Sequence, residues 1–238
     1  MATSDWPLYR RAFYKLFIGT MGRWVELFTD EQTVSGLENI PADGPYLIVG
    51  NHLNFSDPEY ICRAFPQPIN FMVKKELFAY PVIGFGLRLL GTFPVDRAGN
   101  DFGAVRRALD LLERGNPVML FPEGTRSSTD ALATPLPGAG YLALKAGVPV
   151  LPVGLYGSEH VSISRLPSGP ARRVGLRIGK LFRLDPPAGL SRRHSAEWAA
   201  WEMLRHIARL LPEKYHGVLA GIGGNPLDPA ALAGVTSP

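Results

Sequence analysis

"YLIVGNHLNFSDPEY", residues 46–60, joins three signals in one short stretch. The apolar run at 46–49 reads as a buried strand. A polar turn follows, carrying His52 and Asp57 with four residues between them. Ser56-Asp57-Pro58-Glu59 then reads as a helix start: Ser56 as N-cap, Glu59 closing a capping box, Pro58 tolerated in the first turn. Strand, polar turn and helix together are one unit of an α/β fold.

The same alternation continues outward. "INFMVKKELF" (69–78) reads as a strand running into polar residues, and "GTFPVDR" (91–97) as a short strand ending in charge. "DFGAVRRALDLLERG" (101–115) is an amphipathic helix with Phe102, Val105, Leu109 and Leu112 on one side and Gly115 as its stop. "PVMLFPEGTRS" (117–127) is a continuous apolar strand and then a polar loop. "GAGYLALKAG" (138–147) reads as a helix and "VPVLPVGLYG" (148–157) as a strand. "ARRVGLRIGKLFRL" alternates basic and apolar residues, as an exposed strand does. "SAEWAAWEMLRHIARLL" (195–211) is a helix with Trp198, Trp201, Leu204, Ile207 and Leu211 on its apolar side. The expected fold is therefore α/β: a mixed, largely parallel sheet flanked by helices. Ligands of such sheets bind outside the carboxyl ends of strands, which puts His52, Arg97 and the "PEGTR" loop at comparable positions on one rim.

Residues 1–30 stand apart as an amphipathic helix. Tyr9, Ala12, Phe13, Leu16, Phe17, Thr20, Met21, Trp24, Val25 and Phe28 recur at helical spacing, and Arg10, Arg11, Lys15 and Arg23 lie off that stripe. Two readings stay open: a helix packed on its own domain, or a helix in a membrane interface, where aromatics and basic residues are favoured. Residues 31–211 form the main domain, and the Gly/Pro-rich segment 212–238 an irregular tail.

Composition narrows the partners. With 46% hydrophobic residues the chain can bury a sizeable core. A net charge of +4 and a pI near 9.3 suit a phosphorylated substrate or an anionic membrane surface. The charges are dispersed and no basic block carries interleaved aromatics, so no nucleic-acid partner is expected. Cys62 is the one cysteine, which excludes an internal disulfide and suits a reducing compartment. It reads as core. The longest stretch without a formal charge, 131–144, holds two prolines and two glycines. A spanning helix needs roughly 20 apolar residues, so none is expected. A signal peptide is not expected either, because the amino terminus is apolar and basic together.

The candidate chemistry centres on His52 and Asp57. A carboxylate in the first turn of a helix is favoured by the helix dipole. Folded back, it can accept a hydrogen bond from one ring nitrogen and leave the other free as a base. The chain contains no G-x-S-x-G elbow, so the nucleophile would be a substrate hydroxyl. His52, His160, His194, His206 and His216 show no metal-ligand spacing, and no metal is expected. There is no P-loop, and Gly84-Phe85-Gly86 lacks the third glycine of a dinucleotide loop, so no cofactor is expected. In "FPEGTRS", Gly124 allows a close approach or a sharp turn, and Arg126 can clamp a phosphate. Glu123 can pair with that arginine or hold a substrate hydroxyl, and Arg97 offers a second guanidinium.

Taken together, "NHLNFSD", "GTFPVDR", "FPEGTRS" and "VPVLPVGL" resemble, in order and spacing, the four blocks of the glycerolipid acyltransferases. The likeness runs from about Gly36 to Gly157, with "KKELF", Pro81 and Gly84 also matching, and is strongest to the branch that acylates 1-acyl-glycerol-3-phosphate to phosphatidic acid. The resemblance implies His/Asp-assisted acyl transfer from a thioester of coenzyme A or acyl carrier protein to a lysophospholipid acceptor. It also implies a glycerol-phosphate pocket using Arg97, Glu123, Gly124, Thr125 and Arg126, and a peripheral location on the cytoplasmic face of a membrane. The family often has a basic residue two positions before Gly138, where this chain has Leu136. The competing expectations are another lysolipid or hydroxylated acceptor, and a membrane-bound lysolipid or acyl-chain binder without turnover. Backbone N–H groups near Gly124 are the expected oxyanion donors.

Overall fold

The computed structural model describes residues 6–96, 101–161, 173–221, 225 and 227. Among them, seven strands form one sheet in the order β1-β7-β6-β2-β5-β3-β4. These are β1 (Glu31–Ser35), β2 (Leu47–Gly50), β3 (Asn70–Lys74), β4 (Phe93–Val95), β5 (Val118–Leu120), β6 (Val150–Tyr156) and β7 (Arg173–Ile178). The β6–β7 pair is antiparallel and the other strand pairs are parallel. The expected mixed, largely parallel sheet is borne out.

Strand alternation sorts the core into two layers. Leu47, Val49, Val118, Leu120 and Val150 face a layer with α4 (Phe102–Glu113), α5 (Pro137–Ala146) and α6 (Arg192–Ala208). Ile48, Met119, Leu151, Val153 and Leu155 face the opposite layer, which includes α1 (Leu8–Glu26) and α2 (Asp57–Ala64). Both faces of β2 are covered, which explains why 46–49 is an unbroken apolar run. Helices α5 and α6 cross closely at Gly140, where any Cβ would overlap the Ala196 carbonyl.

Several local expectations change. The capping box does not form. Ser56 occupies the N-cap position of α2, but its hydroxyl turns to Asn54 Oδ1 at 3.1 Å and caps no backbone N–H. Glu59 is buried, with Oε1 unpartnered, so its carboxyl does not reach back to close the box. In α4 the inward face is Ala104, Ala108 and Leu112, whereas Phe102 is exposed; Asp101, unanticipated, caps the helix by accepting from Ala104 N–H at 2.9 Å. Gly115 ends that helix in the left-handed region, as expected. The basic-apolar alternation of β7 holds, with Val174, Leu176 and Ile178 buried, but β7 lies inside the sheet between β1 and β6 and is not a free edge.

Residues 213–221, the described start of the tail, pack against the domain. Two 3₁₀ turns, Glu213–Tyr215 and Gly217–Leu219, bury Tyr215 and Leu219 against the domain. The Tyr215 hydroxyl accepts from Gly157 N–H at 3.1 Å and donates to Glu159 at 2.5 Å.

The amino-terminal helix divides its residues between inside and outside. Tyr14 and Val25 are buried with Trp6, and Ile18 packs against them. Leu8, Tyr9 and Leu16 are exposed. Two of the basic residues expected to flank the stripe on the outside, Arg10 and Arg11, are half-buried instead; Arg10 stacks over Trp6 at 3.7 Å and donates to Leu89 O at 2.9 Å. Among the described residues no helix is long and apolar enough to cross a membrane.

Candidate active site

The site is built where three adjacent parallel strands end. In the order β6-β2-β5, the carboxyl end of β2 feeds the loop 51–56, that of β5 the loop 121–136, and that of β6 the turn at Ser158–His160. The chain crosses from β5 to β6 over β2, so this is a topological switch point of the sheet.

The loop after β2 is fixed by side-chain amides. Asn51 donates to Leu155 O at 2.7 Å and accepts from Leu155 N–H at 2.8 Å. Asn54 donates to Val161 O at 2.9 Å. All three bonds reach across to β6 or to the turn that follows it and hold the loop there. Each such bond contributes about 1 kcal/mol net, and more is lost when a buried partner is left unsatisfied.

Asp57 begins α2 and is fully buried. Its Oδ2 accepts from Leu53 N–H at 2.6 Å, from Asn54 N–H at 2.7 Å and from His52 Nδ1 at 2.8 Å. Its Oδ1 accepts from the Ser158 hydroxyl at 2.7 Å. Backbone N–H groups can only donate, so Oδ2 is an acceptor and Nδ1 of His52 carries the hydrogen. The lone pair of the neutral ring therefore sits on Nε2. That nitrogen has no protein partner among the described residues, and the side chain keeps a narrow opening of 11%. Phe121 lies face to face with the imidazole, centroids 4.1 Å apart and planes 13° from parallel. The ring is thus held at one edge by Asp57 and on one face by Phe121.

Glu123 is buried and makes no ion pair with Arg126 among the described residues, contrary to one of its expected roles. Its carboxylate instead accepts from Ala133 N–H at 2.7 Å and, weakly, from His52 N–H at 3.4 Å. Burial raises this carboxyl to about 7, with the Asp57 charge adding to the effect and the two backbone N–H groups opposing it. Gly124 has φ +70°, a left-handed conformation that favours glycine, and the space of its missing side chain is taken by Leu136. Its own N–H is already bonded to Phe121 O at 2.9 Å, and Ser127 N–H to His52 O at 2.7 Å. The expectation of oxyanion donors near Gly124 therefore narrows to Thr125 and Arg126, whose N–H groups have no backbone acceptor among the described residues. Both residues are exposed, with the Arg126 guanidinium free of any ion pair among the described residues. Arg97 lies outside the described residues.

Cys62 is buried within α2, and burial pushes its thiol up to about 12, which fits a core role. No group of three or more His, Cys, Asp or Glu side chains among the described residues could hold a metal ion. Sequence reasoning paired His52 with Asp57 and set the "PEGTR" loop beside them; both are brought together here. It missed Ser158 and Phe121. Phe121 was within reach of a reading that counts the residue immediately after β5 as rim, but Ser158 is 101 residues from Asp57 and only the sheet order makes them neighbours.

Comparisons with known proteins bear on this geometry. The acyltransferase family model matches residues 31–156, more than half of the chain. A chloroplastic 1-acyl-sn-glycerol-3-phosphate acyltransferase, BAT2 of Brassica napus, is 34% identical over 157 residues, 64% of this chain and 45% of that protein. The 1-acyl-sn-glycerol-3-phosphate acyltransferase of Streptococcus pneumoniae is 34% identical over 113 residues, 47% of this chain and 41% of that protein. The chain spans less than half the length of these curated relatives. The crystal structure of the 1-acyl-sn-glycerophosphate (LPA) acyltransferase PlsC from Thermotoga maritima superposes with a TM-score of 0.63 at 27% identity, covering 84% of this chain and 81% of that one.

Proposed function

This chain belongs to the acyltransferase family, and we propose that it is an O-acyltransferase that moves an acyl group from acyl-CoA or acyl carrier protein to the free hydroxyl of 1-acyl-glycerol-3-phosphate, giving phosphatidic acid. The observation that carries this reading is the His52–Asp57 pair, with Nδ1 committed to a buried carboxylate and Nε2 left open. In the proposed reaction Nε2 takes the proton of the acceptor hydroxyl as its oxygen attacks the thioester carbonyl. The tetrahedral intermediate collapses by breaking the C–S bond, and the imidazolium returns the proton to the departing thiolate. General-base assistance of this kind supplies roughly 10² to 10⁴ in rate, and positioning of the two substrates several kcal/mol more. The N–H groups of Thr125 and Arg126 are the donors we assign to the developing oxyanion, and Arg97 and Arg126 the guanidiniums for the acceptor phosphate. Glu123 and Gly124 shape that pocket.

No cofactor or metal enters this scheme. We further propose that residues 31–211 form the catalytic domain and that residues 1–30 bring it to the cytoplasmic face of a membrane as a peripheral protein. The exposed apolar side chains Leu8, Tyr9 and Leu16 on α1 support this reading. So do Val82 and Phe85, exposed on α3 (Pro81–Leu89), whose end is tied to α1 through Arg10.

Leu136 favours a second reading of the acceptor. It sets an apolar side chain against Gly124 beside the proposed phosphate site, which suits a lysolipid or hydroxylated lipid with a weaker demand for phosphate. A panel of lysolipid acceptors with one acyl-CoA, read by thiol release, decides between the two. No release with any acceptor would reject transfer and favour a lipid binder, whereas release independent of added lysolipid would mean that the acyl group goes to water by thioester hydrolysis. His52→Ala should lower turnover by at least the general-base factor while leaving the thermal melt unchanged; near wild-type turnover would falsify the base assignment.

A further inference from the structure

Ser158 is fully buried, as Asp57 is. It opens the 3₁₀ turn at the end of β6, directly after Gly157, whose φ of 86° turns the chain back over the carboxylate. Its hydroxyl donates to Asp57 Oδ1, the oxygen that His52 does not use. Oδ2 carries three donors from its own loop, whereas Oδ1 is held from another element. The carboxylate group can rotate about its last torsion, and that rotation decides whether Oδ2 lies in line with Nδ1–H. Bonds on both oxygens, one set from its own loop and one from another element, stop it.

We infer that Ser158 is a positioning residue for the proposed general base: it fixes the plane of the Asp57 carboxylate, and through it the orientation of the His52 imidazole. Its own hydroxyl is unsuited to be a nucleophile, because it donates its proton to Asp57 and is closed off from solvent. The loop bonds of Asn51 to Leu155 and of Asn54 to Val161 hold the same two segments at a set spacing. The end of β6 thus serves as a template for the loop that presents the base. This inference rests on the proposed base role of His52.

The test is a double-mutant cycle on kcat, with thermal melts alongside. Ser158→Ala removes the hydroxyl, and Ser158→Cys keeps the volume but offers only a weak donor. Either change should lower kcat on the order of tenfold to hundredfold, the scale of a lost bond to a charged group, and leave both Michaelis constants within about twofold. In an Asp57→Asn background the same change should cost little, because there is no longer an aligned carboxylate to lose. Equal costs in both backgrounds, or no cost in either, overturn the inference while leaving the His52 base intact. Melts that collapse in both Ser158 variants overturn it too, by assigning the residue to folding. The base reading itself fails separately, through His52→Ala.

Discussion

Replacing Glu123 by Gln should flatten the dependence of stability on pH. The carboxyl is 5% exposed, and burial raises it from its ordinary 4.5 to about 7. The native state therefore holds this proton more tightly than the unfolded chain. As pH rises the unfolded chain loses the proton first, so stability is lost between the two values and levels off above the higher one. Integrating from about pH 5 to about pH 8 gives a loss of about 2.5 kcal/mol attributable to this group. That corresponds to roughly 5–10 °C in Tm for a chain of this size. Glutamine cannot titrate, although its amide mismatches one of the two N–H donors from His52 and Ala133 and adds a cost that is constant with pH. The quantity to compare is thus the slope, not the absolute stability. Urea unfolding of wild type and variant at four pH values, without substrate, measures it. Other carboxyls contribute to both curves and cancel in the difference. Parallel curves across that range would refute the argument and show that Glu123 ionises normally inside the fold.

Three further outcomes follow from the proposed site and surface. Arg126→Ala and Arg97→Ala should each weaken a phosphorylated acceptor by around 1.5–3 kcal/mol and leave the acyl donor nearly unaffected; equal losses on phosphate-free acceptors, in kinetics with both substrates varied, would point to a structural role. Leu136→Lys should lower the apparent Michaelis constant for a phosphorylated lysolipid severalfold by adding a cation beside Gly124; an unchanged ratio between phosphorylated and phosphate-free acceptors counts against a phosphate at this position. Leu8→Ser with Leu16→Ser should reduce co-sedimentation with anionic vesicles and activity on membrane lysolipid, yet spare activity on a short soluble acceptor and the thermal melt, since both side chains are exposed. Loss of activity on both acceptors alike would mean that these side chains serve the fold.

The central strands were legible because the physics acting on them is local. Residues 46–49 are apolar on both faces since both faces of β2 are covered, and 117–120 show the same pattern for the same reason. The bond between His52 and Asp57 was legible from four-residue spacing across a strand-to-helix turn. What misled was competition among polar side chains. Ser56 and Glu59 have the spacing of a capping box, but Asn54 captures the serine hydroxyl and α1 covers the glutamate, beside Gly22. Helical periodicity located α1 but could not choose its inward face, because Tyr14 and Ile18 compete with Tyr9 and Leu16 on equal hydrophobic terms. The same limit applied to Phe102, which is exposed while small alanines pack inward. Ser158 was invisible because nothing in a linear pattern records that β6 lies beside β2.

The inward side of α1 has a bearing on how such a protein would work at a surface. Trp6, Tyr14 and Val25 are buried in the same layer as Tyr60 and Ile61 of α2, and Glu26 pairs with Arg63 at the far end of that helix. Asp57 stands at the near end, about 9 Å from Arg63 by helix rise. The segment proposed to meet lipid is therefore no tether that swings the domain on a leash; it is bolted to the scaffold that carries the carboxylate. Under that proposal the height of the reactive nitrogen above the bilayer is a dimension of the fold, like the fixed depth of a gauge. An acceptor would be reached according to how far its hydroxyl rises from the lipid plane, so headgroup length would act as a selector before any pocket contact is made.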